Sequence, residues 1–302
     1  MLGRSRVHPN GERAVVEAMY SGSVACTSTE TRLAHLDDLW FYASAVGRLC
    51  PREVALAVQG DAMFHASGCT SSVEERWQAR LRASYRDAVV GMLDGLHGVE
   101  LLGSWRWSGD GAPSGVSYVT GPQPAQHPSI ERGWCPRPDG GRWRYVAPKI
   151  RDFSTRCVGR IDAVLRWDGA EEVVVVKPVS ADELRRIGST NAVLPDDVDQ
   201  AQVYLWQTGL PRARVLYVGI GLPMLHAAVV EAVVWRDERR IDMLSDRLRS
   251  AWRGAQDAWE VLAARRRGER VSDLPEDRLP PRMVECSDAG SDRRRRCGRC
   301  DG

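Results

Sequence analysis

Between Cys157 and Tyr204 short apolar runs alternate with polar breaks: CVGRIDAVLRW, the turn Asp168-Gly169, EEVVVVKP, a polar loop, then VDQAQVYLW. Runs of this length bounded by turn residues predict two strands in a hairpin. The last run predicts a helix with Gln200 and Tyr204 one turn apart on one face. ARVLYVG (213–219) and LHAAVVEAVVW (225–235) predict two further strands. Ile241, Leu244, Leu248, Trp252, Ala255, Trp259 and Leu262 recur at helical spacing, so 237–264 is expected to be a long amphipathic helix.

Upstream, the spacing of Leu36, Leu39, Trp40, Ala43, Val46 and Leu49 predicts helix from Leu33 to Ala57, interrupted at Cys50-Pro51, with a second helix starting near Pro51. Ser71 to Glu75 places carboxylates in a first helical turn, where the dipole favours them. That helix is expected to run through Trp77, Leu81, Tyr85, Ala88 and Leu93 and stop near Gly95. Residues 103–148 are rich in Gly, Pro, Trp and Arg and read as an irregular, hairpin-bearing insertion. Its tryptophans Trp105, Trp107, Trp134 and Trp143 lie among arginines, which suits stacking of unpaired bases and equally suits core filling or cation–π packing. The expected organisation is a polar leader (1–30), an N-terminal helical region (31–102), an insertion (103–156), a core (157–235), and a long helix with a cysteine-bearing tail (236–302).

Composition narrows the class. With 302 residues, 43% apolar and 27% charged, the chain has material for a soluble globular fold. A net charge of +2 does not by itself demand a polyanionic partner, although arginines cluster at 265–267 and 293–296. No apolar run reaches the roughly 18 residues of a membrane span, and MLGRSRVHPNGER lacks the apolar centre of a secretory signal. A cytoplasmic, reducing setting is the expectation, in which the eight cysteines serve as thiols or metal ligands rather than disulfides.

One charge stands out. Of 42 Lys plus Arg residues only Lys149 and Lys177 are lysine, and Lys177 follows four consecutive valines. An ammonium differs from a guanidinium in size, hydration and ease of pKa shift, so a lone lysine in an arginine-rich chain points to a chemical role. A strand-end lysine reaching solvent is the plainer account. Lys177 shares its strand face with Val175 and Val173. Phosphodiester hydrolysis takes carboxylates that hold Mg²⁺ or Mn²⁺ plus a cation near the attacking water or the phosphate, and Asp162 and Lys177 are two such parts.

The order Gly159-Arg160-Ile161-Asp162, Val-Val-Val-Val-Lys177, Gln200-Ala-Gln-Val-Tyr204, then ARVLYVG resembles the RecB-type branch of the PD-(D/E)XK nucleases, which includes CRISPR-associated and phage exonucleases with iron–sulfur clusters. The resemblance covers roughly residues 36–68 and 157–300. It implies an α/β, restriction-endonuclease-like core with a small mixed sheet flanked by helices. It also implies that Asp162 binds metal, Lys177 polarises the water or phosphate, and Gln200 and Tyr204 position the substrate. His65 in AMFHASG matches an upstream histidine that joins the metal site. Cys50-Pro51-Arg52 matches the first cluster cysteine and Cys286, Cys297 and Cys300 the last three, forming a C-terminal clasp. Four soft ligands suffice for a [4Fe–4S] cluster or for Zn²⁺; the resemblance favours the cluster, and residue chemistry alone does not choose.

One position departs from the pattern. The family's second carboxylate stands two residues before the lysine, where this chain has Val175, and a valine cannot bind a hard cation. Glu172 has the wrong strand parity to replace it, and Glu171 lies six residues from Lys177, about 20 Å along a strand. Asp196 or Asp199, beside Gln200, are candidates for a migrated carboxylate. The leading expectation is a DNA nuclease acting on single strands or exposed ends, weakened or inactive through Val175. The second is a catalytically silent DNA-binding subunit of a DNA repair, phage or CRISPR-adaptation complex, and the third a zinc-stabilised interaction protein. Gly219-Ile-Gly221 lacks the third glycine of a dinucleotide loop, and His35, His97, His127 and His226 have no partners at metal spacing.

Overall fold

The computed structural model describes residues 35–60, 73–109, 118–121, 141–190, 192–221 and 228–280. Helices are α1 (Pro51–Gln59), α2 (Val73–Asp94), α3 (Ala181–Thr190), α4 (Pro195–Thr208) and α5 (Glu238–Arg266). Strands are β1 (Phe41–Tyr42), β2 (Val99–Gly109), β3 (Tyr118–Gly121), β4 (Gly141–Val146), β5 (Lys149–Asp152), β6 (Cys157–Arg160), β7 (Ala163–Trp167), β8 (Ala170–Val179), β9 (Arg212–Gly219) and β10 (Val229–Trp235). They build two mixed sheets flanked by helices: a seven-stranded sheet ordered β10-β9-β8-β7-β2-β3, with β4 also paired to β2, and a three-stranded sheet ordered β1-β6-β5. The protein is a mixed α/β fold.

The central strand explains the arrangement. Val173, Val175 and Val179 of β8 enter one apolar cluster, while Val174 and Val176 enter another on the opposite face. A strand buried on both faces reads as a continuous valine run rather than an alternating one. The first cluster lies under α1, α4 and α5; the second contains Val89 of α2 with Tyr85, Val90 and Leu93 packed beside it. β8 and β9 are parallel, so the chain between them must cross over the sheet, and α3 and α4 make that crossover.

Three local expectations are corrected. The run CVGRIDAVLRW is not one strand: β6 ends at Arg160 in the small sheet and β7 starts at Ala163 in the large one, so Asp162 sits where the chain changes sheets. The segment before Cys50 is not a helix but two 3-10 turns around β1, because Phe41 pairs in parallel with Cys157 and sheet pairing outweighs the helical spacing. The loop after Lys177 contains α3, whose Leu184 and Ile187 are buried. Elsewhere the turn chemistry is direct. Asp168 and Gly169 both have positive φ (49° and 75°), as a two-residue hairpin needs. α4 begins with Pro195 and closes on Gly209 at φ 73°, and Asp237 caps α5 by accepting the Arg240 N–H at 3.1 Å.

The segment 103–148 contributes β3 and β4, both antiparallel to β2, so the large sheet extends past β7. Trp105 is fully buried against Tyr145, ring centroids 5.3 Å apart, and offers no free face to a base. Trp107 and Trp143 oppose one another in register, and Trp134 lies outside the described residues. Among the described residues, no helix is long and apolar enough to cross a membrane.

Candidate nucleic-acid cleft

A cleft of about 540 Å³ opens where β6, β8, α2 and α4 meet, with Arg48, Arg82, Arg86, Arg160, Asp162, Val175, Lys177, Glu183, Asp197, Gln200 and Tyr204 among its lining residues. Ala163 pairs with Val174, which brings Asp162 level with the β8 valines, and its Oδ2 accepts the Val176 N–H at 2.8 Å. Burial pushes the Asp162 carboxyl above the ordinary carboxylate range. The Val176 N–H and the charges of Arg86, Arg160 and Lys177 oppose that push.

Lys177 and α4 form one hydrogen-bonded chain. The Lys177 Nζ donates to Gln200 Oε1 at 2.5 Å and lies 2.6 Å from Asp197 Oδ1. Gln200 Nε2 donates to the Tyr204 hydroxyl at 2.7 Å, and that hydroxyl donates to the Arg160 carbonyl at 2.8 Å. Asp197 Oδ2 accepts from the Tyr217 hydroxyl at 2.8 Å, which in turn accepts the Leu194 N–H at 3.0 Å. Burial pushes Tyr204 up to about 12, so it stays a neutral donor at physiological pH. Gly159 makes its approach feasible: a Cβ there would lie 2.8 Å from Tyr204 Cε1 and 3.0 Å from Ala43 Cβ.

The structure therefore brings together Asp162, Lys177, Gln200 and Tyr204. It separates the two aspartates expected as substitutes. Asp196 pairs with Arg48 at 3.1 Å rather than with Lys177, and Asp199 is buried against Arg240 at 2.5 Å, under Gly47. The carboxylate that reaches Lys177 is Asp197, which sequence reasoning missed. Helical spacing excludes Asp199, but Asp197 (i, i+3, i+7 with Gln200 and Tyr204) and Asp196 (i, i+4, i+8) both fall on that stripe, so spacing alone does not choose between them. Arg82 and Arg86, one turn apart on α2, were also missed; neither makes an ion pair among the described residues. Glu171 pairs with Arg166 at 2.7 Å, and Glu172 faces away from the cleft.

A Mg²⁺ or Mn²⁺ ion takes several oxygen ligands with carboxylates among them. Among the described residues no three His, Cys, Asp or Glu side chains converge at ligand spacing. Val175 places methyl groups beside Asp162, and both oxygens of Asp197 are engaged by Lys177 and Tyr217. Among the described residues, this donor set does not fit such an ion. His65, Cys286, Cys297 and Cys300 lie outside the described residues, and Cys50 is buried at the N-terminal boundary of α1.

No protein-family model matches this chain, and no curated protein matches it. Among solved structures it is similar to an alkaline exonuclease from Laribacter hongkongensis, at 10% identity and a TM-score of 0.41 over 83% of this chain and 97% of that one. It is likewise similar to a phage-related exonuclease from Haemophilus somnus 129PT, at 10% identity and a TM-score of 0.41 over 76% and 96% of the two chains. The Laribacter exonuclease in complex with dAMP gives 13% identity and a TM-score of 0.35 over 76% and 96%.

Proposed function

We propose that this chain is a DNA-binding protein built on a nuclease-type cleft in which hydrolysis is weak or lost. The observation that carries the reading is that the cleft gathers four arginines, of which Arg82 and Arg86 make no ion pair among the described residues while Arg48 and Arg160 pair with the exposed Asp196 and Asp87, and that in it Lys177 is held by Asp197 and Gln200. Guanidinium groups around a cleft suit phosphate oxygens, which they bind in a fork. A lysine held by an internal carboxylate is less available to polarise a water, and the valine removes an anionic ligand. Asp162, Lys177, Gln200 and Tyr204 then act as binding and positioning groups.

The test is a Mn²⁺-dependent assay on end-labelled single-stranded DNA with the natural chain and with Val175→Glu, alongside binding of the same strand. The reading expects both to bind and only Val175→Glu to cleave; absence of binding by the natural chain overturns it. A second reading, a functioning nuclease with a migrated carboxylate, is favoured by the position of Asp197 alone. It expects cleavage by the natural chain that disappears in Asp197→Asn.

A thiol-held metal or iron–sulfur centre belongs to the same proposal. Arg52, two residues after Cys50, donates to the Pro280 carbonyl at 3.5 Å, so the chain leading to Cys286 leaves from beside α1. Iron content and visible colour of anaerobically purified protein test this; colourless, zinc-containing protein selects Zn²⁺ over the cluster.

A further inference from the structure

The β1-β6-β5 sheet has one face in the core and one outside. Phe41 and Cys157 are buried in the core and Ile150 packs against it. The alternate positions point the other way: Tyr42, Val158 and Arg151 form one cross-strand row, and Arg160 and Lys149 form the next. Residues paired across strands share a face. Tyr42, Val158 and Arg160 also line the cleft, so this outer face runs continuously into it.

The face is aromatic and cationic. Trp40 precedes β1 and Phe153 follows β5, their rings edge-on at 5.3 Å. The Arg151 guanidinium lies 4.2 Å from the Trp40 ring centroid and 4.9 Å from that of Phe153. Phe153 remains 65% exposed and Tyr42 48% exposed. Arg156 pairs with Asp37, and Arg160 lies 3.7 Å from Asp87, but Lys149 and Arg151 make no ion pair among the described residues. The two lysines of the chain thus stand one in the cleft and one on this face.

Exposed rings beside cations that make no ion pair among the described residues fit a partner that offers both flat apolar faces and negative charge. An acidic peptide supplies the charge without the flat faces. A duplex keeps its bases stacked on one another. Single-stranded nucleic acid supplies both, through base stacking on aromatic rings and through its phosphates. We propose that the outer face of this sheet binds single-stranded nucleic acid, with Tyr42 and Phe153 stacking bases and Lys149 and Arg151 contacting phosphates, and leads the strand into the cleft. The proposal rests on the nucleic-acid reading of the cleft and adds the surface along which the strand reaches it.

Fluorescence anisotropy in EDTA tests it with three labelled probes: oligothymidylate, an abasic strand of equal length, and a duplex. Tyr42→Ala and Phe153→Ala are each expected to weaken oligothymidylate binding about 5-fold or more and to leave the other two probes within error. Lys149→Ala is expected to weaken both single-stranded probes and to lower the salt slope by about one. Arg86→Ala, in the cleft, is expected to weaken all three. Unchanged oligothymidylate binding in both aromatic variants overturns the proposal while Arg86→Ala still reports on the cleft. Equal losses on the abasic strand also overturn it, because they mark a structural role for the rings. Loss in the aromatic variants with no effect of Arg86→Ala supports this face and overturns the cleft reading. A natural chain that binds none of the probes overturns both.

Discussion

Strand β8 carries two ionic clusters, one at each end and on opposite faces, and they are built for different purposes. Near its start Glu172 is fully buried, 2.8 Å from Arg214 and 3.0 Å from Arg212, with Arg214 also paired to Glu231. Arg214 lies 4.8 Å over the Trp167 ring, and Arg212 lies 5.7 Å over that of Trp235. Near its end Lys177 meets Asp197 and Gln200 at the mouth of a cleft. The first cluster ties β8, β9 and β10 together around a carboxylate with no exposed surface; the second lines a cleft. The difference follows from parity. Glu172 and Val175 are three residues apart, so they point to opposite sides of the sheet, and the buried carboxylate of β8 cannot serve the cleft.

The largest effect is expected at the Glu172 cluster. Glu172→Gln leaves two guanidinium groups with one partly exposed carboxylate between them, and should cost about 3 kcal/mol in urea unfolding. DNA affinity of the folded fraction should stay unchanged; a loss of affinity would mean that the two clusters are coupled. Gly159→Ala should come next. Its methyl would press on the Tyr204 ring and on Ala43, costing about 1–3 kcal/mol and weakening DNA binding through displacement of Gln200, so this variant should lower both stability and affinity.

The smallest effect concerns Asp162. Its folded-state pKa is raised, so across the interval from the unfolded to the folded value the native state binds more protons, and stability falls as pH rises. Asp162→Asn removes that penalty. Thermal unfolding of Asp162→Asn should therefore match the natural chain at pH below the carboxylate range and exceed it modestly at neutral pH. A lower melting temperature at neutral pH would show that the ionised carboxylate contributes favourable contacts beyond those described.

Much of this fold is legible along the chain. The Asp168-Gly169 hairpin, the valine run, the start of α1 at Pro51 and the amphipathic α5 each follow from turn chemistry, periodicity or capping. The rarity of lysine pointed to Lys177, and strand parity placed Val175 beside it and Glu172 away from it. The helix expected before Cys50 failed for a specific reason: Phe41 and Tyr42 pair with β6, more than a hundred residues later, and no local pattern reports such a partner. Trp105, set among arginines in sequence, is core in space because Tyr145 closes over it.

The sequence by itself determined most of the elements, the orientation of alternate residues on each strand, and the presence of a valine two residues before Lys177. These depend on backbone periodicity and side-chain type, which act over a few residues. Only the tertiary structure decided which aspartate of PDDVDQ meets Lys177, that Asp162 stands at the passage between two sheets, and that Tyr42, Arg151 and Phe153 share a surface leading into the cleft. Those relations depend on how α4 rotates onto β8 and how β1 joins β6, and such packing is set by the whole core rather than by neighbours along the chain.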